Sequence, residues 1–116
     1  MSLRIRMRQA LPEAIRARDK TAVSALRATL AALDNAEAVP VADAGQRVSA
    51  LEQSPVGAGA TEAARRELSE GAAADIVREE ITERLRVAAT LTGPAHADRA
   101  ARLRAEAAVL RPFLDH

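Results

Sequence analysis

The chain has 116 residues, a net charge of +1, a single aromatic residue (Phe113) and no cysteine. That length bounds one domain with a modest core, and the missing thiols exclude a disulfide framework, a zinc–thiolate site and a cysteine nucleophile. No apolar run approaches the ~20 residues of a membrane-spanning helix, and a near-neutral balance argues against a strongly charged partner as the dominant theme.

Twenty-nine residues are Ala, 16 are Arg and one is Lys. Ala is the best helix former and Arg follows closely, whereas Val, Ile and Thr are scattered singly, so no β-rich window forms. The composition predicts an all-α fold. The preference for Arg over Lys also fits a GC-rich genome, which makes part of the arginine content a codon effect. Charge is uneven along the chain: residues 1–20 carry six basic and two acidic side chains, and the remainder is net acidic.

Leu3, Met7, Leu11, Ala14 and Ile15 recur at helical spacing and predict a first helix over 3–17. Pro12 removes one backbone hydrogen bond inside it and is expected to kink or split it. The segment lacks the continuous apolar core of a secretory signal. Its Arg-rich start has transit-peptide character, but a helix with a basic face accounts for it, and the expected location is cytoplasmic. Asp19 has the chemistry to cap a second helix. There, Val23, Leu26, Leu30 and Leu33 form a narrow seam that ends before Pro40.

Residues 40–60 carry two Pro, three Gly and few large apolar side chains, and read as a flexible loop with, at most, a helical turn near 46–53. Thr61 and Ser69 follow as candidate caps, Ser69 for the main helix. Ile76, Val77, Ile81, Leu85 and Ala88 mark the buried side of a helix over 70–91. Gly93 and Pro94 sign its end and the start of the next. The last helix carries Ala100, Leu103, Ala107, Leu110 and Leu114, and Pro112 disturbs its end. The expected architecture is a compact four- to five-helix bundle, closing on an antiparallel C-terminal helical hairpin. Its Ala-lined seams let the axes approach closely.

Catalytic and metal chemistry find little purchase. The histidines are His96, at a helix start, and His116, the last residue; neither has a Ser or Cys placed as a triad nucleophile. No H-E-x-x-H or Glu-x-x-His pattern exists, and the glycines of VGAGAT (56–61) lack the strand and lysine of a phosphate loop. No cofactor or metal is expected. Asp75, Glu79, Glu80 and Glu83 read as a solvated helix flank, with Glu80 and Arg84 attracting at four-residue spacing. The basic side chains gathered at the start, Arg4, Arg6 and Arg8 with Arg16, Arg18 and Lys20, have the clustering that phosphate binding needs. The bundle supplies no aromatic platforms for RNA bases, and the other reading is that arginine stems lie over apolar seams with wet heads. On the second helix, Glu37 falls on the centre line of the leucine seam. A charge there needs a partner, and the expected one is Arg84. The alternative is an exposed terminal glutamate.

ARDKTAVSALRATLAALDNAE, with Ala17, Arg18, Asp19, Lys20, Leu26, Arg27, Asn35, Ala36 and Glu37, resembles the N-terminal signature of the GatB/YqeY domain family. A second stretch, with Glu80, Ile81, Glu83 and Arg84, then Arg99, Ala100, Leu103, Arg104, Glu106, Val109 and Leu110, resembles its other signature. Together they cover most of the chain outside 40–60. The resemblance implies an all-α accessory domain related to the tRNA-binding part of the B subunit of glutamine-dependent Asp/Glu-tRNA amidotransferase. That part has no catalytic centre, although stand-alone members carry the label of carbon–nitrogen ligase with glutamine as donor. The sequence stops at His116, where longer members continue into a helical tail, so one helical domain over 1–116 without that tail is expected. The implied partner is tRNA or a protein. Binding candidates are Arg4, Arg6, Arg8, Lys20, Arg27 and Asn35. Asp19, Glu37, Arg84 and Glu106 are expected to act structurally. The alternative is a protein-interaction or self-associating bundle with no RNA role.

Overall fold

The computed structural model describes residues 1–38 and 68–115. Among them are four α-helices and no strand: α1 (Leu3–Arg16), α2 (Lys20–Glu37), α3 (Glu70–Thr90) and α4 (Ala97–Leu110), with short 3₁₀ turns at Pro94–His96 and Arg111–Leu114. The expected loop at 40–60 and the Thr61 cap lie outside the described residues. No described helix is long and apolar enough to cross a membrane.

Side-chain caps set three of the helix starts. The Ser2 hydroxyl accepts from Ile5 N–H, Asp19 from Ala22 N–H and Ser69 from Ala72 N–H, each satisfying a donor that the first turn leaves orphaned. Pro12 does not split α1, which runs unbroken past it. Pro12 and Arg8 are both exposed, so the Arg8 carbonyl that Pro12 leaves unbonded faces water. At the other end of α3, Gly93 takes φ 95 and Pro94 opens the following turn, a backbone that only glycine adopts without strain. Pro112 ends the α-helical part at Leu110 and continues it as a 3₁₀ turn.

One core joins the four helices through Leu3, Met7, Leu26, Leu33, Val77, Ile81 and Leu110, all less than a tenth exposed, with alanines between them. On α2 the buried stripe is Ala22, Ala25, Leu26, Thr29 and Leu33, whereas Val23 and Leu30 are half-buried. The stripe is therefore rotated roughly 70° from the leucine seam, taking ~100° per residue. Alanine and threonine are buried there because small side chains fit between packed helices, and hydropathy underrates them.

On α3 the expected buried Leu85 is 38% exposed. Arg84 takes the inward place instead: its direction lies about 20° from the centre of the Ala73–Val77–Ile81–Ala88 stripe, against about 80° for Leu85. Its Nε donates to Glu106 Oε1 on α4 at 2.9 Å, and its Nη1 to Glu80 Oε1 at 2.9 Å and the Glu80 carbonyl at 3.0 Å. Burial disfavours the charged guanidinium, but the hydrogen bonds and charges of Glu80 and Glu106 outweigh it and raise the Arg84 pKa. The remaining acidic flank is wet, with Asp75 and Glu83 pairing to Arg78 and Arg86 within the helix.

Two outcomes follow for urea denaturation. Arg84→Met leaves the Glu106 carboxylate buried without its cation and lowers stability by about 3 kcal/mol, while the double variant with Glu106→Met recovers most of that loss. Thr29 is fully buried and its Oγ1 has no hydrogen-bond partner, so Thr29→Val, which keeps the shape and removes the unpaired hydroxyl, raises stability by about 1 kcal/mol.

Candidate functional site: a cationic elbow between α1 and α2

Only Ala17, Arg18 and Asp19 separate α1 from α2. The chain reverses there through a Schellman closure: Arg18 N–H donates to the Ile15 carbonyl and Asp19 N–H to the Ala14 carbonyl, both at 3.0 Å. That motif needs a left-handed residue at its hinge, usually glycine. Here the hinge is Arg18 at φ 58, the one positive-φ residue other than glycine among those described. A non-glycine residue in that region costs about 1 kcal/mol.

The elbow opens onto a groove of about 720 Å³. Its lining combines an aliphatic part, Ile15, Val23 and Ala28, called here the floor, with the cations Arg18, Lys20 and Arg27, called the rim, and Ser24. Ile15 is 47% exposed, an uncovered apolar side chain at the centre of a positive rim. No carboxylate lines the groove, and among the described residues none of its three cations forms an ion pair.

Of the arginines at the start of the chain, Arg4 and Arg6 are committed inward by comparison, and Arg8 is exposed with one long ion pair. Arg4 Nη1 donates to Glu37 Oε2 at 2.7 Å, and its buried Nη2 lies 3.6 Å from Asp34 Oδ1. Arg8 reaches the same Asp34 at 3.8 Å. Arg6 donates to the Phe113 carbonyl at 2.8 Å and sits 5.8 Å from the centroid of the Phe113 ring. These contacts clamp α1 to the end of α2 and to the C-terminal turn. Of the six sequence candidates, Lys20 and Arg27 line the groove. Asn35 lies on the same side of α2, seven residues beyond Ala28 and about 10 Å along the axis, outside the groove. Arg18, Ser24 and the aliphatic floor were not among the candidates. The signal for Arg18 was present in the sequence, as two helices with three residues between them and no glycine to turn on.

Glu37 does not meet Arg84. It pairs with Arg4, and its Oε2 also accepts from Leu68 N–H at 3.4 Å, just before α3. The rotation of the α2 stripe explains the difference, because the leucine centre line that carries Glu37 is a flank facing α1. The Arg4 hydrogen bond, opposed by burial and helped by Leu68 N–H, holds the Glu37 carboxyl below its ordinary value of 4.5. A second cleft of about 340 Å³ lies over this clamp, but its lining holds Glu37 and Glu70 as well as Arg4 and Arg8, and it offers no excess charge. Both Glu70 oxygens accept from Leu3 N–H. Among the described residues no group of three His, Asp or Glu is placed to hold a metal. His96 is exposed at the end of a 3₁₀ turn.

Comparison with family models, with curated proteins and with solved structures returned no match.

The clamp has a pH signature. Because the folded pKa of Glu37 lies below the unfolded value, its contribution is complete above pH 4.5 and is lost as pH falls through the lower folded value. Glu37→Gln is therefore less stable than the parent at neutral pH, and the gap between their urea midpoints narrows as pH falls below that range. A gap that stays constant with pH means that the carboxylate's charge is not what stabilises the joint.

Proposed function

We propose that the chain is a non-catalytic helical accessory module that docks an anionic partner through the cationic elbow. The observation that carries this reading is the contrast between two sets of basic side chains. Arg4, Arg6 and Arg8 are bound to groups of the chain itself, whereas Arg18, Lys20 and Arg27 converge on one groove and pair with nothing among the described residues. Charges held together at the cost of a left-handed hinge, with no ion pair among the described residues, are suited to an external counter-charge.

The resemblance to the GatB/YqeY family sets this module beside tRNA-dependent amidation, as a relative of the part of the amidotransferase B subunit that helps hold tRNA. The aliphatic floor favours a second reading, a protein-interaction module with no RNA role, since phosphates make no use of Ile15. In either reading the bundle is a scaffold. Its C-terminal half is an antiparallel hairpin of α3 and α4, supported by their short connection and the Arg84–Glu106 pair. It backs α2 and keeps the elbow's rim fixed.

Anion binding measured by fluorescence anisotropy, with total tRNA and with polyaspartate, tests the elbow. Each binds with an affinity that falls with salt at a log–log slope of about −2 to −3, as three released counterions give. Lys20→Glu with Arg27→Glu, both exposed and without effect on helix content, abolishes that binding, and reversing Arg8 alone leaves it in place. Binding of both polymers that is indifferent to the elbow charges overturns the reading. Glutamine-dependent ligation by the purified chain also overturns it.

A further inference from the structure

If the elbow is the contact surface, its shape and lining also select among anions. The rim supplies three cations, which is few for a nucleic-acid surface that commonly neutralises about 6–10 phosphates. Along α1, Arg4 and Arg8 are paired to Glu37 and Asp34, which leaves Arg16, exposed in the last turn, as the one further unpaired cation of that helix near the elbow among the described residues. Base stacking is unavailable, because Phe113 is the single aromatic residue and lies beneath Arg6. What the groove does offer is an aliphatic floor of Ile15, Val23 and Ala28 directly between the cations, in a volume of about 720 Å³. A volume of that order holds a few side chains. The half-exposed Ile15 gains from being covered by apolar surface.

We propose that the occupant of the elbow is an acidic amphipathic segment of a partner protein: one aliphatic side chain seated on Ile15, Val23 and Ala28, with flanking carboxylates on Arg18, Lys20 and Arg27. Arg18 and Arg27 present forks that match carboxylates bidentately, and Lys20 adds a point charge. The aliphatic contact supplies affinity that survives salt, and the carboxylates supply orientation and on-rate. This inference rests on the elbow being the docking surface, and the experiment separates the two.

The probe is a fluorescent helical peptide of about three turns, with leucine along one face and glutamate along its flanks. Two controls accompany it: the same peptide with every glutamate replaced by glutamine, and an oligouridylate of equal charge. The full chain binds the acidic peptide at least about tenfold more tightly than either control. Lys20→Glu with Arg27→Glu removes that preference, and Ile15→Ser, at an exposed position, weakens the acidic peptide by several-fold while leaving oligouridylate binding unchanged. Oligouridylate bound as tightly or more tightly, in an elbow-dependent way, overturns the peptide assignment but leaves the elbow as an anion site. Absence of elbow-dependent binding of any of the three at about 1 mM overturns both. Equal binding of the glutamate and glutamine peptides overturns the role given to the rim.

Discussion

Thin helix faces are the constraint on which the rest of this structure depends. Among the described residues, six of the thirteen buried apolar side chains are alanine, so the helices can approach closely yet each contact removes little apolar surface from water. The larger side chains, Met7, Leu26, Leu33 and Leu110 among them, fill the centre. Toward the edges of the core, specific polar contacts take over. Arg84 joins α3 to α4 through Glu106, Arg4 joins α1 to α2 through Glu37, and Arg6 joins α1 to the C-terminal turn through Phe113. Directional pairs of this kind fix which faces meet, a service that a core of alanines performs weakly.

Arginine therefore has several uses among the described residues. Arg4, Arg6 and Arg84 close seams, Arg78 and Arg86 pair within α3, and Arg16, Arg99, Arg102, Arg104 and Arg111 lie exposed without an ion pair. Arg18 and Arg27, with Lys20, converge at the three-residue turn between α1 and α2 on one groove, and form no ion pair among the described residues. The elbow's tight Schellman reversal makes this possible, because it brings the end of α1 and the first turns of α2 into one groove with Ile15 uncovered at its floor. The fold contributes rigidity and the groove contributes chemistry.

Much of the frame was legible in the sequence because local signals and global packing agree. Asp19 and Ser69 cap the helices they precede, Gly93 and Pro94 mark the stop after α3, and the four-residue spacing of Glu80 and Arg84 gives an ion pair. The errors share one cause. Periodicity weighs large apolar side chains, so it aligned α2 on Val23 and Leu30 and gave Leu85 an inward place. The structure puts Ala22, Ala25 and Thr29 at the close approach and turns Arg84 inward. That rotation also misassigned the partner of Glu37. Arg18 was hidden differently. Its charge places it in the basic cluster at the start of the chain, but its hinge role emerges only once helix ends three residues apart demand a left-handed residue.

The central claim is that the elbow is kept for binding rather than for folding, and Arg18 is where the two demands oppose each other. Glycine suits its φ of 58 better than arginine. Arg18→Gly should therefore raise the thermal midpoint, by a few degrees for about 1 kcal/mol in a domain of this size, while weakening the acidic peptide's binding at the groove. A variant that is more stable and binds less is the result this account predicts. A variant that binds the peptide as tightly as the parent, whatever its stability, contradicts it.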